Sequence, residues 1–124
     1  MKLYIVANRL PVKAVPRQDS YTFVRSEGGL ATGLDSLQIS MEKHWIGWPG
    51  VCVDNARQQI EIRQHLETMD FHPIFLSEEQ YHDYYEGYSN STIWPLCHYF
   101  FSHTTVRKEY WESYQKVNAL FCEE

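Results

Sequence analysis

The chain opens on Leu3-Tyr-Ile-Val-Ala7, a short and nearly continuous apolar run with no helical period. That is the pattern of a strand buried on both faces of a parallel sheet. Asn8 and Arg9 follow at its carboxyl end, where open α/β sheets place their ligands. Pro11–Pro16 and Tyr21–Arg25 then read as two arms of a hairpin around the polar turn Arg17–Ser20, and the two prolines push it to an exposed edge. From about Leu30 a helix is predicted, with Leu30, Leu34, Leu37 and Met41 on one face. His44-Trp-Ile-Gly-Trp48 gives a second strand, ended by the turn signal Pro49-Gly50.

The stretch from Ala56 to Met69 carries two periods. Ile60 and Ile62 alternate like a strand, whereas Ile62, Leu66 and Met69 repeat at helical spacing; length and Gln/Glu/Arg content favour helix. Phe71–Leu76 reads as a third strand, with Pro73 marking it as an edge or irregular one. Ser77-Glu-Glu-Gln80 opens a helix with serine as N-cap and carboxylates in the first turn. That helix carries Tyr81, Tyr84, Tyr85 and Tyr88. The last and clearest helix runs from Thr104 to about Cys122, with Val106, Tyr110, Trp111, Tyr114, Val117 and Phe121 in one stripe. Strands alternating with helices predict an α/β fold with a parallel sheet and an added β-hairpin. Three strands make a small sheet, so the chain reads as part of a larger domain.

Composition narrows the function classes. The 124 residues are 44% hydrophobic, which suits one folded domain rather than disorder. The formal charge of −5 with scattered basic residues does not resemble the clustered positive face of a nucleic-acid binder. An acidic protein that binds phosphate must use a few well-placed cations, which raises the interest of Arg9. Cys52, Cys97 and Cys122 share no metal-type spacing and read as reduced thiols of a cytoplasmic protein. No run approaches the roughly 18 apolar residues of a membrane span, and the apolar start, interrupted by Asn8 and Arg9, does not read as a signal peptide.

The candidate chemistry converges on a phosphorylated small molecule. A guanidinium fork at Arg9 matches phosphate oxygens, although a surface arginine capping a carboxylate has the same spacing. Gly28-Gly29 before a helix suits either a backbone cradle for a phosphate or a plain tight turn. It is not the dinucleotide fingerprint. Trp45 and Trp48 cannot face the same way on a regular strand. One belongs in the core, and the other stands at the strand's carboxyl end near Arg9, where indole stacks on sugars or simply fills space. Tyr84 and Tyr85 point about 100° apart on a helix, so one is core and the other is free to donate to a phosphate. His98 and His103 read as structural. No nucleophile–base pair and no metal-ligand set stands out.

Several segments together carry a resemblance. Asn8-Arg9-Leu10-Pro11-Val12, Gly28-Gly29-Leu30, Trp45-Ile-Gly-Trp48-Pro-Gly50, Phe75-Leu76-Ser77, the run from Tyr84 to Tyr99 and Trp111-Glu-Ser-Tyr114-Gln-Lys-Val-Asn118 fall in one order. They resemble the amino-terminal part of the trehalose-6-phosphate synthase family. The resemblance implies a partial Rossmann-like domain over residues 1–124, the acceptor-side amino-terminal half-domain of a retaining GT-B glycosyltransferase. It implies transfer of glucose from UDP-glucose to glucose 6-phosphate, with these two small molecules as partners and no cofactor. On the matching positions, Arg9 and Tyr85 bind the acceptor phosphate, Trp48 and Trp94 line the acceptor sugar pocket, and Gly28 and Gly29 contact UDP-glucose. No catalytic residue and no metal ligand falls in this stretch. The family's next strand, with its Asp-Tyr-His motif, and the basic pair of the second domain lie outside it, so this stretch alone is expected to be inactive. An exposed edge of such a partial sheet also invites pairing between copies. Rival readings are a glucosylglycerol-phosphate synthase and a non-catalytic sugar-phosphate-binding regulatory module.

Overall fold

A computed structural model describes residues 1–37 and 40–124. Two compact units are resolved, Met1–Phe75 with Glu124, and Leu76–Glu123.

The first unit is built on three parallel strands in the order β1-β4-β5 and a separate antiparallel hairpin, β2-β3. β1 spans Lys2–Arg9, β2 Val12–Pro16, β3 Tyr21–Arg25, β4 Glu42–Trp48 and β5 Phe71–Pro73. The hairpin closes as predicted, Pro16 opposite Tyr21, with the Arg17 N–H donating to the Ser20 carbonyl at 2.8 Å. Helix α2, Ala56–Glu67, settles the ambiguous stretch in favour of helix. Asn55 caps it by accepting from the Arg57 and Gln58 amides, and Ile62 and Leu66 are fully buried while Ile60 is exposed. These two join Ile5, Leu10, Ala14, Trp45 and Val53 in the core. The third strand is assigned only as far as Pro73, shorter than its apolar run, although the next amide, that of Ile74, still donates to the Gly47 carbonyl at 3.0 Å.

Helix α1 departs from expectation. It covers only Gly29–Asp35, so Leu37 and Met41 lie beyond it, and Gln38 and Ile39 fall outside the described residues. Ser36 ends it: its hydroxyl donates to the Gly33 carbonyl at 2.7 Å and its amide to that of Thr32 at 3.2 Å. The apolar face shifts accordingly, with Ala31 and Leu34 against the core and Leu30 64% exposed.

β1 and β4 carry an irregularity that matters for the site. Val6 pairs with Ile46 and Arg9 with Trp48, so β1 spends one more residue than β4 between these pairs. This is a β-bulge, a device that re-aims side chains. Gly47 lies opposite it. A Cβ at Gly47 would sit 2.8 Å from the Arg9 carbonyl carbon, 2.9 Å from the Ala7 oxygen and 2.9 Å from the Leu10 nitrogen, all backbone atoms.

The second unit is helical. Ser77 opens α3, Glu78–Tyr81, with a reciprocal capping box: its hydroxyl accepts from the Gln80 amide and the Gln80 side chain accepts from the Ser77 amide. The expected regular helix then widens into a π-helical run, His82–Ile93. The Ser89 and Ser91 hydroxyls donate to the carbonyls of Tyr84 and Glu86, each five residues back. Hydroxyls that engage carbonyls in this way compete with the normal ladder, and they favour the wider i→i+5 pattern here. Short helix α4, Trp94–Cys97, follows, and then a 3₁₀ turn at Phe101–His103. α4 ends on Tyr99 in the left-handed region, φ 61°, with Phe100 N–H to Pro95 and Tyr99 N–H to Leu96, the paired bonds of a Schellman cap. The final helix, α5, is Lys108–Glu123, shorter at its start than the stripe suggested, so that Val106 is 80% exposed. Tyr88 packs on Tyr114 and Trp111 with ring centroids 4.6 and 5.4 Å apart, and Val117 is fully buried.

Gly47→Ala is expected to destabilise the first unit by about 1–3 kcal/mol, the usual range for overpacking. Gly33→Ala, in open space within α1, should instead stabilise by roughly 0.5–1 kcal/mol. Urea denaturation of both variants checks the pair; equal effects would contradict the close approach at Gly47.

Candidate functional site

The carboxyl ends of β1 and β4 come together through backbone hydrogen bonds that run past the strands. The Leu10 amide donates to the Trp48 carbonyl at 3.0 Å, and the Ala14 amide to the Pro49 carbonyl at 2.8 Å. The hairpin is thereby tied to the turn after β4. Its far end returns to the same place, because Ser26 donates through its amide to Pro11 at 2.8 Å and through its hydroxyl to Leu10 at 3.0 Å.

This frame places Arg9 on Trp48. The guanidinium carbon stands 5.3 Å from the indole centroid, in cation–π range. Trp48 is buried, and its Nε1–H donates to the Val51 carbonyl at 3.1 Å. The two tryptophans of β4 therefore divide as the strand alternation requires. Trp45 joins the core, and Trp48 stands at the strand end with Arg9.

Arg9 and Trp48 line a cavity of about 220 Å³ with Lys13, Ser26, Glu27 and Gly50. Two cations and one carboxylate face this space, which suits a small anionic ligand. Lys13 escaped the sequence reading. Its signal was the Pro49-Gly50 turn: Gly50 has φ 78°, and a Cβ there would lie 2.8 Å from the Lys13 Cβ. The turn thus seats itself against Lys13 at the cavity rim.

Gly28 and Gly29 stand at the start of α1, immediately after Glu27, and a Cβ at either would meet nothing within 4 Å. Packing within the described residues does not demand glycine there. A requirement for glycine at these positions would have to come from what approaches their backbone.

Tyr84, Tyr85 and Trp94 belong to the second unit. Tyr84 is buried against Tyr114, with centroids 5.8 Å apart. Tyr85 is half-buried and stacks on Tyr81 at 5.4 Å. So Tyr84 is the core member of the pair. Trp94 is 63% exposed, and its ring lies 3.9 Å from that of His98, whose Nδ1 is 2.8 Å from the Trp94 carbonyl oxygen. His98 is therefore structural in a specific sense: it holds the exposed indole in place. Trp94 also lines an apolar hollow with Pro95, Phe100 and His103.

Residues 1–124 match the family described as Glycosyltransferase family 20. The trehalose-6-phosphate synthase of Mycolicibacterium vanbaalenii is 44% identical over 125 residues, covering 96% of this chain and 25% of its own length. The alpha,alpha-trehalose-phosphate synthase [UDP-forming] of Botryotinia fuckeliana is 37% identical over 122 residues, 98% of this chain and 23% of its own. The chain thus spans about a quarter of the length of these curated relatives. Among solved structures, an alpha,alpha-trehalose-phosphate synthase (UDP-forming) from Burkholderia xenovorans in complex with glucose-6-phosphate superposes with a TM-score of 0.65. It is 23% identical, and the match covers 98% of this chain and 24% of that one. At that identity the likeness speaks for fold, and it bears out the expected class: an α/β half-domain of the GT-B kind, with a parallel sheet and an added hairpin.

The different settings of the two tryptophans yield a prediction. Trp48→Phe removes the donor to Val51 and should cost about 1–3 kcal/mol. Trp94→Phe, at an exposed position, should change stability by less than about 0.5 kcal/mol. Chemical denaturation distinguishes them; equal losses would contradict the assignment of Trp48 as a hydrogen-bonded, buried wall.

Proposed function

This chain belongs to glycosyltransferase family 20, and from that premise we propose that it is the acceptor-side part of a trehalose-6-phosphate synthase. The whole enzyme then transfers glucose from UDP-glucose to glucose 6-phosphate, with retention, giving trehalose 6-phosphate and UDP. Residues 1–124 would form part of the amino-terminal domain, and the cytoplasm is the compartment that fits reduced thiols. The observation that carries this reading is the cation pair at the strand ends. Arg9 stands over Trp48 in cation–π range, and both line one cavity with Lys13, at the carboxyl end of a parallel sheet where such folds bind ligands.

The roles follow from chemistry. The Arg9 fork can donate two parallel N–H bonds to a phosphate, while the indole of Trp48 stands within cation–π distance of the same guanidinium. Tyr85 offers a phenolic O–H to the same phosphate. Trp48 and Trp94 present apolar faces to the sugar ring. Gly28 and Gly29, without side chains, let the backbone approach the nucleotide sugar. None of these groups is a nucleophile. Their contribution is to position the acceptor hydroxyl beside the departing phosphate of UDP, which itself takes the proton. The relatives' names favour this acceptor over a glucosylglycerol-type one, and they favour an enzyme over a regulatory module.

The test uses the complete enzyme. UDP release from UDP-glucose should require glucose 6-phosphate. Arg9→Ala should raise the KM for glucose 6-phosphate well above tenfold, since a charge-assisted hydrogen bond is worth ~1.5–3 kcal/mol. An unchanged KM would remove Arg9 from the acceptor site.

A further inference from the structure

The opposite end of the same sheet carries a second cluster, which the proposed reaction does not use. Glu42 and His44 lie two residues apart on β4 and so share one face. Asp70 precedes β5, and His72 lies within it. His44 is only 8% exposed, although it is polar. Its Nε2 is 2.9 Å from Glu42 Oε1, and its Nδ1 is 3.0 Å from His72 Nε2. Tyr4 of β1 stacks on the imidazole, centroids 5.1 Å apart. The ring is fixed from three directions.

Glu42, His44 and Asp70 each offer a ligand atom within 4.8 Å of the other two. We propose that Glu42, His44 and Asp70 form a binding site for one divalent transition-metal ion, oriented by His72. Imidazole with two carboxylates is a donor set suited to zinc-like ions, and three protein ligands leave one position open. Glu42 and Asp70 are exposed at the surface, which provides an entry path.

The proton balance closes. In the ion-free chain the Nε2–H tautomer of His44 matches both contacts, donating to the Glu42 carboxylate and accepting at Nδ1 from His72 Nε2–H. When a metal takes His44 Nε2, the His44 proton resides on Nδ1 and donates to His72 Nε2, and the His72 proton moves to its own Nδ1. Each ring keeps one proton. His72 thus fixes the tautomer of the ligating ring, as partners of metal-bound histidines ordinarily do. Lys2, 3.4 Å from Glu42 Oε1, is half-exposed and can swing into solvent. A second grouping, Glu67, His72 and Glu124, is a poorer candidate because Arg63 already pairs with both of its carboxylates.

Six residue steps along β4 separate Glu42 from Trp48, about 20 Å at the usual rise per residue. The metal site is therefore remote from Arg9. Its effect is to clamp the starts of β4 and β5, independently of any transferase activity.

The test is titration of the chelator-treated full chain with Co²⁺, read by visible absorption and calorimetry, followed by displacement with Zn²⁺. One saturable ion per chain is expected. Glu42→Gln and Asp70→Asn should each weaken binding at least tenfold, and His44→Gln should abolish it. Glu124→Gln should leave it unchanged. Both carboxylate variants are at exposed positions, and asparagine tolerates the left-handed backbone of Asp70, φ 59°, so circular dichroism should report an intact fold. Absence of saturable binding, unchanged affinity in the two carboxylate variants, or a thiolate-to-cobalt band would each overturn the proposal.

Discussion

The geometry at the strand ends depends on one close approach, that of Gly47 to the backbone of β1. With 2.8–2.9 Å between a notional Cβ and the backbone atoms of Ala7, Arg9 and Leu10, no other residue fits without moving a strand. The missing side chain gives β1 room for its extra residue. Past the bulge the register places Arg9 opposite Trp48 rather than one position away. A one-residue slip would send Arg9 to the other face of the sheet. Cation, indole and cavity all follow from a position that contributes no side chain.

Much of the first unit is local in origin and was legible in the sequence. The apolar run of β1, the hairpin arms with their polar turn, and the Ile62/Leu66 repeat of α2 each encode one element within a few residues. Ser77 and Gln80 likewise announce the start of α3, because both halves of a capping box lie within four residues. The sites of failure share a cause. Helix α1 ends at Asp35 because the Ser36 hydroxyl satisfies a carbonyl, although the leucine period continues past it. The wide helix from His82 to Ile93 arises where serine hydroxyls bond five residues back, and no apolar period reports that. Lys13 was missed because its place depends on a turn 36 residues later. Periodicity reads packing, whereas these features arise from polar side chains and distant backbone.

The parallel sheet offers two chemically different ends. Its carboxyl end gathers Arg9 and Lys13, cations suited to the phosphate of the proposed acceptor. Its amino end gathers Glu42, Asp70 and two histidines, donors suited to a cation. Such separation lets an acidic chain present a cavity in which two cations outnumber the one carboxylate, Glu27. It also lets a stabilising element vary without touching the binding surface.

The most direct test of the account is a crystal structure of the complete enzyme with glucose 6-phosphate bound. The account predicts the phosphate on the Arg9 guanidinium and the Tyr85 hydroxyl, with the sugar ring against Trp48 and Trp94. Phosphate density seated away from Arg9, with its guanidinium still lying on Trp48 and contacting no ligand, would contradict it.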